Sequence, residues 1–403
     1  PVEAKQRILS LDVIRGFALL GILVMNIQSF SMVGAAYMNP TAYGDLTGPN
    51  WWVWLIGHLL TDQKMYGIFS MLFGAGIVLM MSRAEARGAG AGLHYRRMGW
   101  LILFGLLHAH LLWYGDILYM YGVCGLVMYL FRRKSPRTLV ILSALFFIIG
   151  SAIAYLSGWS MRFWPPEQIA SFTRDNWLPN AEMVQREVAA YRGGWLAQMP
   201  YRVRTAAFFE TILLLIMSWK LIGNMLLGMA LFKAGILAGQ RSRGVYVKMA
   251  LAGFLVGLPI VGIGVWKNVS AAWDARYSFF FGAQYNYWGA IIVDIGWIGV
   301  LMLFCTSTGL TRAKAALSAV GRMAFSNYIF QTLIATTLFY GHGFGLFGGV
   351  SRVYQILIVV AIWVVELLIS PLWLRYFAFG PLEWLWRSLT YWRRMPLRDG
   401  ILA

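Results

Sequence analysis

Stretches of about twenty residues with almost no charge recur about ten times along this 403-residue chain, and the segments between them alternate between arginine-rich and nearly arginine-free. A bilayer core takes about 20 helical residues to cross. The pattern therefore restricts the chain to a bundle of membrane helices. Composition agrees, because 59% hydrophobic and 12% charged residues leave too little polar surface for a water-soluble globule.

The fold expected is all-α: a single polytopic integral membrane helix bundle over 1–403, with about ten spans near 13–34, 51–82, 98–114, 116–131, 138–158, 205–234, 244–266, 287–308, 317–340 and 351–376. The runs 51–82 and 205–234 exceed one crossing, so each carries a kink, an interfacial turn or a steep tilt. Basic residues in short loops resist translocation and mark the cytoplasmic side. Lys5, Arg7, Arg83 to Arg97, Arg132 to Arg137, Lys233 to Lys248, Arg312, Lys314 and Arg375 to Arg398 fall on one set of segments. The short loops opposite hold only Lys267 and Arg276. Both termini are accordingly expected to be cytoplasmic, in a bacterial cytoplasmic (inner) membrane.

This placement accounts for the net charge of +18 through anionic headgroups, so membrane lipids are the expected partners and no nucleic acid is. The first apolar run contains Arg15 and Asn26 and lacks a small-residue cleavage site, and it reads as a retained helix. Cys124 and Cys305 fall within predicted spans without metal or redox spacing, and no metal is expected. There is no GxxxxGK[ST], GxGxxG after a strand, HExxH or paired-cysteine pattern, which removes support for ATPase, dehydrogenase, zincin and iron–sulfur readings.

One connection is long. Residues 159–204 are expected to form an extracytoplasmic loop with short helices, either a solvated connector or a cover over a site. Residues 380–403 alternate aromatic and basic side chains after the last span. Trp384, Trp386 and Trp392 suit the headgroup layer of an interfacial segment, with a binding role as the alternative.

Charges inside membrane helices are costly and usually face a cavity or a partner. Arg15, Asp62, Lys64, His108, Glu210, Lys220, Asp294 and Glu366 occupy such positions. Arg15 and Asn26, 11 residues apart, share one helix face with a rise of roughly 16 Å between them. Snorkelling of Arg15 and an interhelical bond from Asn26 would explain them equally. His108 lies near the end of its helix with Asp116 in the following turn, which suits an imidazole whose tautomer a carboxylate fixes; a packed structural histidine is the alternative. His110 points elsewhere, with no comparable partner expected. Asp62 and Lys64, two residues apart, face apart; Lys64 either donates into a cavity or joins an ion pair.

Several motifs carry a resemblance. Arg7-Ile-Leu-Ser-Leu-Asp-Val-Ile-Arg15 through Asn26, Ala35-Ala-Tyr-Met-Asn39-Pro, Lys64 with Leu72-Phe-Gly-Ala-Gly76, Gly105 through His108 to Asp116, Gly321-Arg-Met-Ala-Phe-Ser-Asn327-Tyr and Gly380-Pro-Leu-Glu-Trp-Leu-Trp-Arg387 follow one another as in the YeiB-like family of bacterial membrane proteins, a domain of unknown function. The chain resembles that family over essentially its whole length. The family in turn looks like a branch of the transmembrane acyltransferase superfamily that includes heparan-alpha-glucosaminide N-acetyltransferase. Relatives there carry an Arg followed 11 positions later by His or Asn, which Arg15 and Asn26 reproduce. The heparan enzyme places its catalytic His a further 11 residues on, where this chain has Tyr37.

The resemblance implies transfer of an acyl group from cytoplasmic acyl-coenzyme A, as donor substrate, to a small-molecule or glycan acceptor hydroxyl or amine on the other side. His108 is the expected base, His58 a less favoured substitute, Asp116 its orienting group, and Asn26 or Lys64 the oxyanion donor. Arg15 and Arg322 are the residues expected to bind the donor phosphates. A transporter or flippase for a lipid-linked or small polar molecule, using the same buried charges as a path, remains the alternative, as does a scaffold without substrate. A homo-oligomer is left open.

Overall fold

The computed structural model describes residues 8–88 and 90–398; Lys5, Arg7 and the last residues of the 380–403 segment lie outside the described residues. Every regular element among the described residues is helical. In chain order they are α1 (Leu9–Ser31), α2 (Ala35–Met38), α3 (Gly48–Leu60), α4 (Lys64–Glu85), α5 (Gly92–Leu111), α6 (Leu118–Met128), α7 (Pro136–Ser160), α8 (Pro166–Asn176) and α9 (Ala181–Arg192). There follow α10 (Trp195–Phe208), α11 (Leu214–Lys233), α12 (Arg243–Ser270), α13 (Ala275–Tyr277), α14 (Ala283–Thr306), α15 (Thr311–Arg322), α16 (Ala324–Phe339), α17 (Arg352–Tyr376) and α18 (Pro381–Tyr391).

Seven helical segments among the described residues are long and apolar enough to cross a membrane: Leu9–Ser31, Gly48–Glu85, Pro136–Phe163, Trp195–Lys233, Arg243–Ser270, Ala275–Thr306 and Arg352–Tyr376. The protein is a helical membrane bundle. Helix α1 is its central post, 67% buried over its most apolar window, whereas the window of α7 is only 17% buried and presents its apolar surface outward. Around α1 stand α4, α15, α16 and α17, and α11 joins α4 to α7.

Glycines let three helix pairs meet backbone to backbone, which is how membrane helices gain dispersion contact without a hydrophobic driving force. A Cβ on Gly16 would overlap the Leu317 carbonyl and one on Gly321 the Asp12 carbonyl, joining α1 to α15. Gly74 and Gly228 do the same for α4 and α11 against the carbonyls of Met225 and Met71, and Gly253 with Gly296 for α12 and α14.

The long runs break where a polar group needs them to. The 51–82 run divides into α3 and α4 at a turn in which Gln63 takes a left-handed φ of 62°. The 205–234 run is continuous with α10 through a π-turn at Phe209–Leu213. The helix expected at 317–340 is two helices, separated at Met323. Glu383 on α18 explains that break, since Oε1 accepts the backbone N–H of Phe325 (2.7 Å) and Ser326 (3.1 Å) and so satisfies donors that a helix start leaves free.

Residues 159–204 are mostly helical and lie across one end of the bundle. Asn39 Nδ2 donates to the Trp177 carbonyl (3.1 Å), Gly34 N–H to Glu187 Oε1 (2.9 Å), Gly341 N–H to the Tyr191 carbonyl (2.8 Å) and Arg192 Nε to the Phe347 carbonyl (2.7 Å). The segment is a lid clamped to the loops that follow α1 and α16. At the opposite end, Trp386 departs from the headgroup placement expected for it. It is buried against Phe325, with Arg97 stacked 3.7 Å above the ring and its indole N–H donating to the Arg97 carbonyl (3.0 Å), while Trp392 is exposed.

Candidate functional site

The turn between α3 and α4 gathers the densest polar network. His58, in the last turn of α3, points Nδ1 at Asp62 Oδ2 (2.9 Å), and its ring stacks on Trp54. Asn286, near the start of α14, donates its amide to the same Asp62 oxygen (2.8 Å). The Asn286 carbonyl accepts Lys64 Nζ, which also donates to the His58 carbonyl (2.7 Å). Asp62 and Lys64 thus make no direct pair, as their spacing implied, and Asn286 links them. His58 Nε2 has no partner among the described residues, and the side chain is 17% exposed. Tyr37 lies within electrostatic range of Asp62 and of Tyr114, so the lid-covered end of α1 looks onto this dyad.

One turn deeper, Lys220 of α11 donates to Gln63 Oε1 (2.6 Å) and the Tyr287 carbonyl (3.0 Å) and lies over the Tyr287 ring. Asp294 on α14 and Asn224 on α11 are fully buried beside it.

His108 and Asp116 do meet. Nδ1 lies 2.8 Å from Asp116 Oδ1, both side chains are 2% exposed, and Nε2 lies 3.0 Å from Thr332 Oγ1 on α16. Asp116 Oδ2 accepts the Tyr119 N–H (2.7 Å) and so caps the start of α6. Both ring nitrogens are engaged, and the pair ties α5, α6 and α16 together. His110, expected to lack a partner, lies 3.1 Å from the Glu210 carboxylate in the π-turn, because the extra residue in that turn rotates Glu210 toward α5.

At the opposite end, Arg15 pairs with Asp12 (2.9 Å) and reaches the Gly321 carbonyl at 3.5 Å, next to Arg322. The glycine contact of α1 with α15 brings Arg15 to the backbone beside Arg322, whose guanidinium itself reaches the Ala378 carbonyl at 3.4 Å. Asn26 is half-buried on the same stripe of α1 as Ser29, whose hydroxyl meets Tyr114 Oη at 3.0 Å. No side-chain hydrogen bond joins Asn26 to Lys64 among the described residues.

Sequence comparison finds relatives that match nearly the whole chain. The chain is 33% identical over 394 residues to the uncharacterized protein YeiB of Escherichia coli (strain K12), covering 96% of each chain. It is 31% identical over 430 residues to the uncharacterized protein YxaH of Bacillus subtilis (strain 168), covering 98% of this chain and 97% of that one. The chain belongs to the YeiB-like family. A family model described as a protein of unknown function (DUF418) matches residues 231–393 of this YeiB-like chain. No solved structure matches it.

Within the YeiB-like fold, two motifs distant in sequence become one device. Glu383 of Gly380–Arg387 holds the start of α16 inside Gly321–Tyr328. Sequence reading singled out neither Glu383 as a cap nor Asn286 and Asn224 as network members. Apart from Asn26, the sequence reading rests on charged residues inside the spans, and the other amides, also costly to bury unpaired, were the missing signal. Among the described residues, no three His, Cys, Asp or Glu side chains gather as a metal site.

Proposed function

We propose that this protein is a membrane-embedded acyltransferase, moving an acyl group from cytoplasmic acyl-coenzyme A to an acceptor hydroxyl or amine at the extracytoplasmic side. The bundle in this reading has about ten spans, α5, α6 and α16 supplementing the seven longer segments, with both termini cytoplasmic in a bacterial inner membrane. The lid then lies outside, and the Arg15 and Arg322 end faces the donor.

The observation that carries the reading is the His58–Asp62 dyad, with Nδ1 beside a carboxylate and Nε2 unpartnered at the lid-covered end. A base must reach a proton before its pKa matters, and His58 offers a nitrogen where His108 has none to spare. Nε2 takes the acceptor proton as the acceptor oxygen or nitrogen bonds to the acyl carbon. The carbonyl electron pair becomes an oxyanion within reach of a cation such as Lys64 or an amide such as Asn26. Collapse breaks the carbon–sulfur bond, and the thiolate leaves with the proton. Asp62 stabilises the imidazolium between the two steps. Arg15 and Arg322 are the arginines this reading assigns to the donor phosphates, on the basic end of the bundle.

The test is acetyl-coenzyme A binding by calorimetry and free-thiol release by the detergent-purified protein. Arg15→Ala is expected to weaken binding about tenfold, roughly 1.4 kcal/mol. His58→Gln is expected to leave binding intact and slow thiol release about 100-fold or more. A folded wild type that releases no thiol from acetyl or longer acyl donors would move the transporter or flippase to first place. The buried Asp62, Lys64, Lys220 and Asp294 set is the observation favouring that second reading.

A further inference from the structure

Asp294, Asn224 and Gly67 play no part in the acyl-transfer chemistry above, yet they form a costly arrangement within the bundle. Asp294 sits midway along α14 and Asn224 midway along α11, both with no exposed surface. Neither carboxylate oxygen of Asp294 and neither amide atom of Asn224 has a hydrogen-bond partner among the described residues. Groups left this way in a hydrocarbon layer forfeit several kcal/mol each, because no bulk water is there to satisfy them. The two face one point. A Cβ on Gly67 of α4 would overlap Asp294 Oδ2 and stand 3.5 Å from Asn224 Nδ2, so the carboxylate takes the place of a side chain there and the amide converges on the same point.

We propose that Asp294 and Asn224 share a water molecule and an exchangeable proton, forming a proton relay between Lys64 and Lys220. The charged side chains that reach Asp294 electrostatically are Lys220 from α11 and Lys64 from α4. Tyr66 of α4 is the phenol within range of the same carboxyl, and Tyr66 in turn lies within range of Asp62, Tyr287 and Tyr37. Helices α1 and α12, also packed on α14, bring no charged group into range. Each ammonium group has three N–H donors, and each of these two lysines spends two of them elsewhere in the structure.

The charges decide the occupant. Two ammonium groups and two carboxylates balance, so an added sodium or potassium ion would leave a net positive charge among them, whereas a water adds none and the proton it passes only moves within the set, from an ammonium group to the Asp294 carboxylate and back. Proton movement in the relay balances simply. The O–H bond of the Asp294 carboxyl breaks as its proton passes to the water, and the water gives a proton to a neutral lysine amine, forming an N–H bond. A carboxylate and an ammonium group remain, with no electrons exchanged. Lys64 continues through Asn286 to Asp62 and His58, so the relay opens toward the lid-covered end whichever reaction that end performs.

Infrared difference spectra of the full-length protein, titrated with acid and base in water and in deuterium oxide without substrate, test the proposal. A protonated carboxylic carbonyl band that shifts on deuteration is expected in the wild type, retained in Glu366→Gln and lost in Asp294→Asn. Asn224→Leu, which keeps the carboxyl and removes its neighbour, is expected to move the band without abolishing it, a readout that survives if Asp294→Asn fails to fold. A wild type with no such band, or one indifferent to both Asp294→Asn and Asn224→Leu, overturns the relay. Sodium or potassium that raises the thermal stability of the wild type but not of Asn224→Leu overturns it in favour of a bound cation. None of these outcomes depends on thiol release, so the acyl-transfer reading stands or falls separately.

Discussion

His58 and His108 each stand beside an aspartate at under 3 Å, and what separates them is the other nitrogen of each ring. His108 spends it on Thr332 at a buried position, so its substitution leaves the buried Asp116 Oδ1 without its partner. Removing one member of such a pair costs about 3–5 kcal/mol. His108→Ala is therefore expected to lower the melting temperature of the purified protein sharply, whereas His58→Gln, at a half-open position, is expected to shift it little while stopping turnover. Equal thermal losses in the two variants would contradict the assignment of structural and chemical roles. The His108–Asp116 pair was read from short-range spacing, since Asp116 follows His108 through a tight turn; His58 and Asp62, one helical turn apart, carry the same local signal, which the sequence reading did not use. Which dyad is open was not legible, since Thr332 arrives from a helix more than two hundred residues away and nothing local announces it.

Helices in this bundle are positioned by backbone contact and by borrowed caps, and each mode makes a distinct prediction. Gly228→Ala pushes a methyl into the Met71 carbonyl and is expected to cost about 1–3 kcal/mol by overpacking. Gly76→Ala, on the same helix as Met71 but with nothing near its Cβ position, is expected to be neutral or to stabilise by up to about 1 kcal/mol. Thermal unfolding of the two variants in one detergent compares them directly. Glu383→Ala removes the donated cap of α16 and is expected to cost about 1–2 kcal/mol. The expectation of one helix over 317–340 failed here because hydropathy registers an apolar run and not the side chain, sixty residues on, that terminates part of it. Lid docking carries a pH dependence. Burial raises the Glu187 carboxyl above the ordinary glutamate value, against the lowering effect of the Gly34 N–H. The folded state therefore holds this proton more tightly than the unfolded chain. The stability it contributes is full below the ordinary glutamate pKa and is lost as pH rises through the raised one. Glu187→Gln should flatten that decline in a plot of melting temperature against pH, and an unchanged slope would remove Glu187 as its source.

At the scale of the whole molecule, the proposed orientation places the lid and the loop before α3 on one side and the α14–α15 connection on the other. In a background lacking Cys124 and Cys305, Thr47→Cys should react with an impermeant maleimide in intact spheroplasts, and Gly309→Cys only after permeabilisation. Labelling of both from outside would refute the orientation. The bundle itself was readable from composition and the spacing of uncharged runs, since a hydrocarbon layer imposes its thickness on any chain that crosses it. The clustering of Asp62, Lys64, Lys220 and Asp294 was not, because it depends on which faces of α4, α11 and α14 turn toward one another. The glycine contacts also bear on how the molecule is made. Helices α12 and α14 are near neighbours in the chain and can associate soon after both are synthesised. Gly16 must wait for Gly321, some three hundred residues later, before α1 can lock against α15. During that interval the first helix resides in lipid or beside the insertion machinery with Arg15 and Asn26 unaccommodated by the partner it finally acquires. Synthesis proceeds at roughly 5–20 residues per second, so the delay lasts on the order of tens of seconds. Its central post is thus the first part to enter the membrane and among the last to be fastened, which makes early membrane-resident intermediates the natural point for quality control to act.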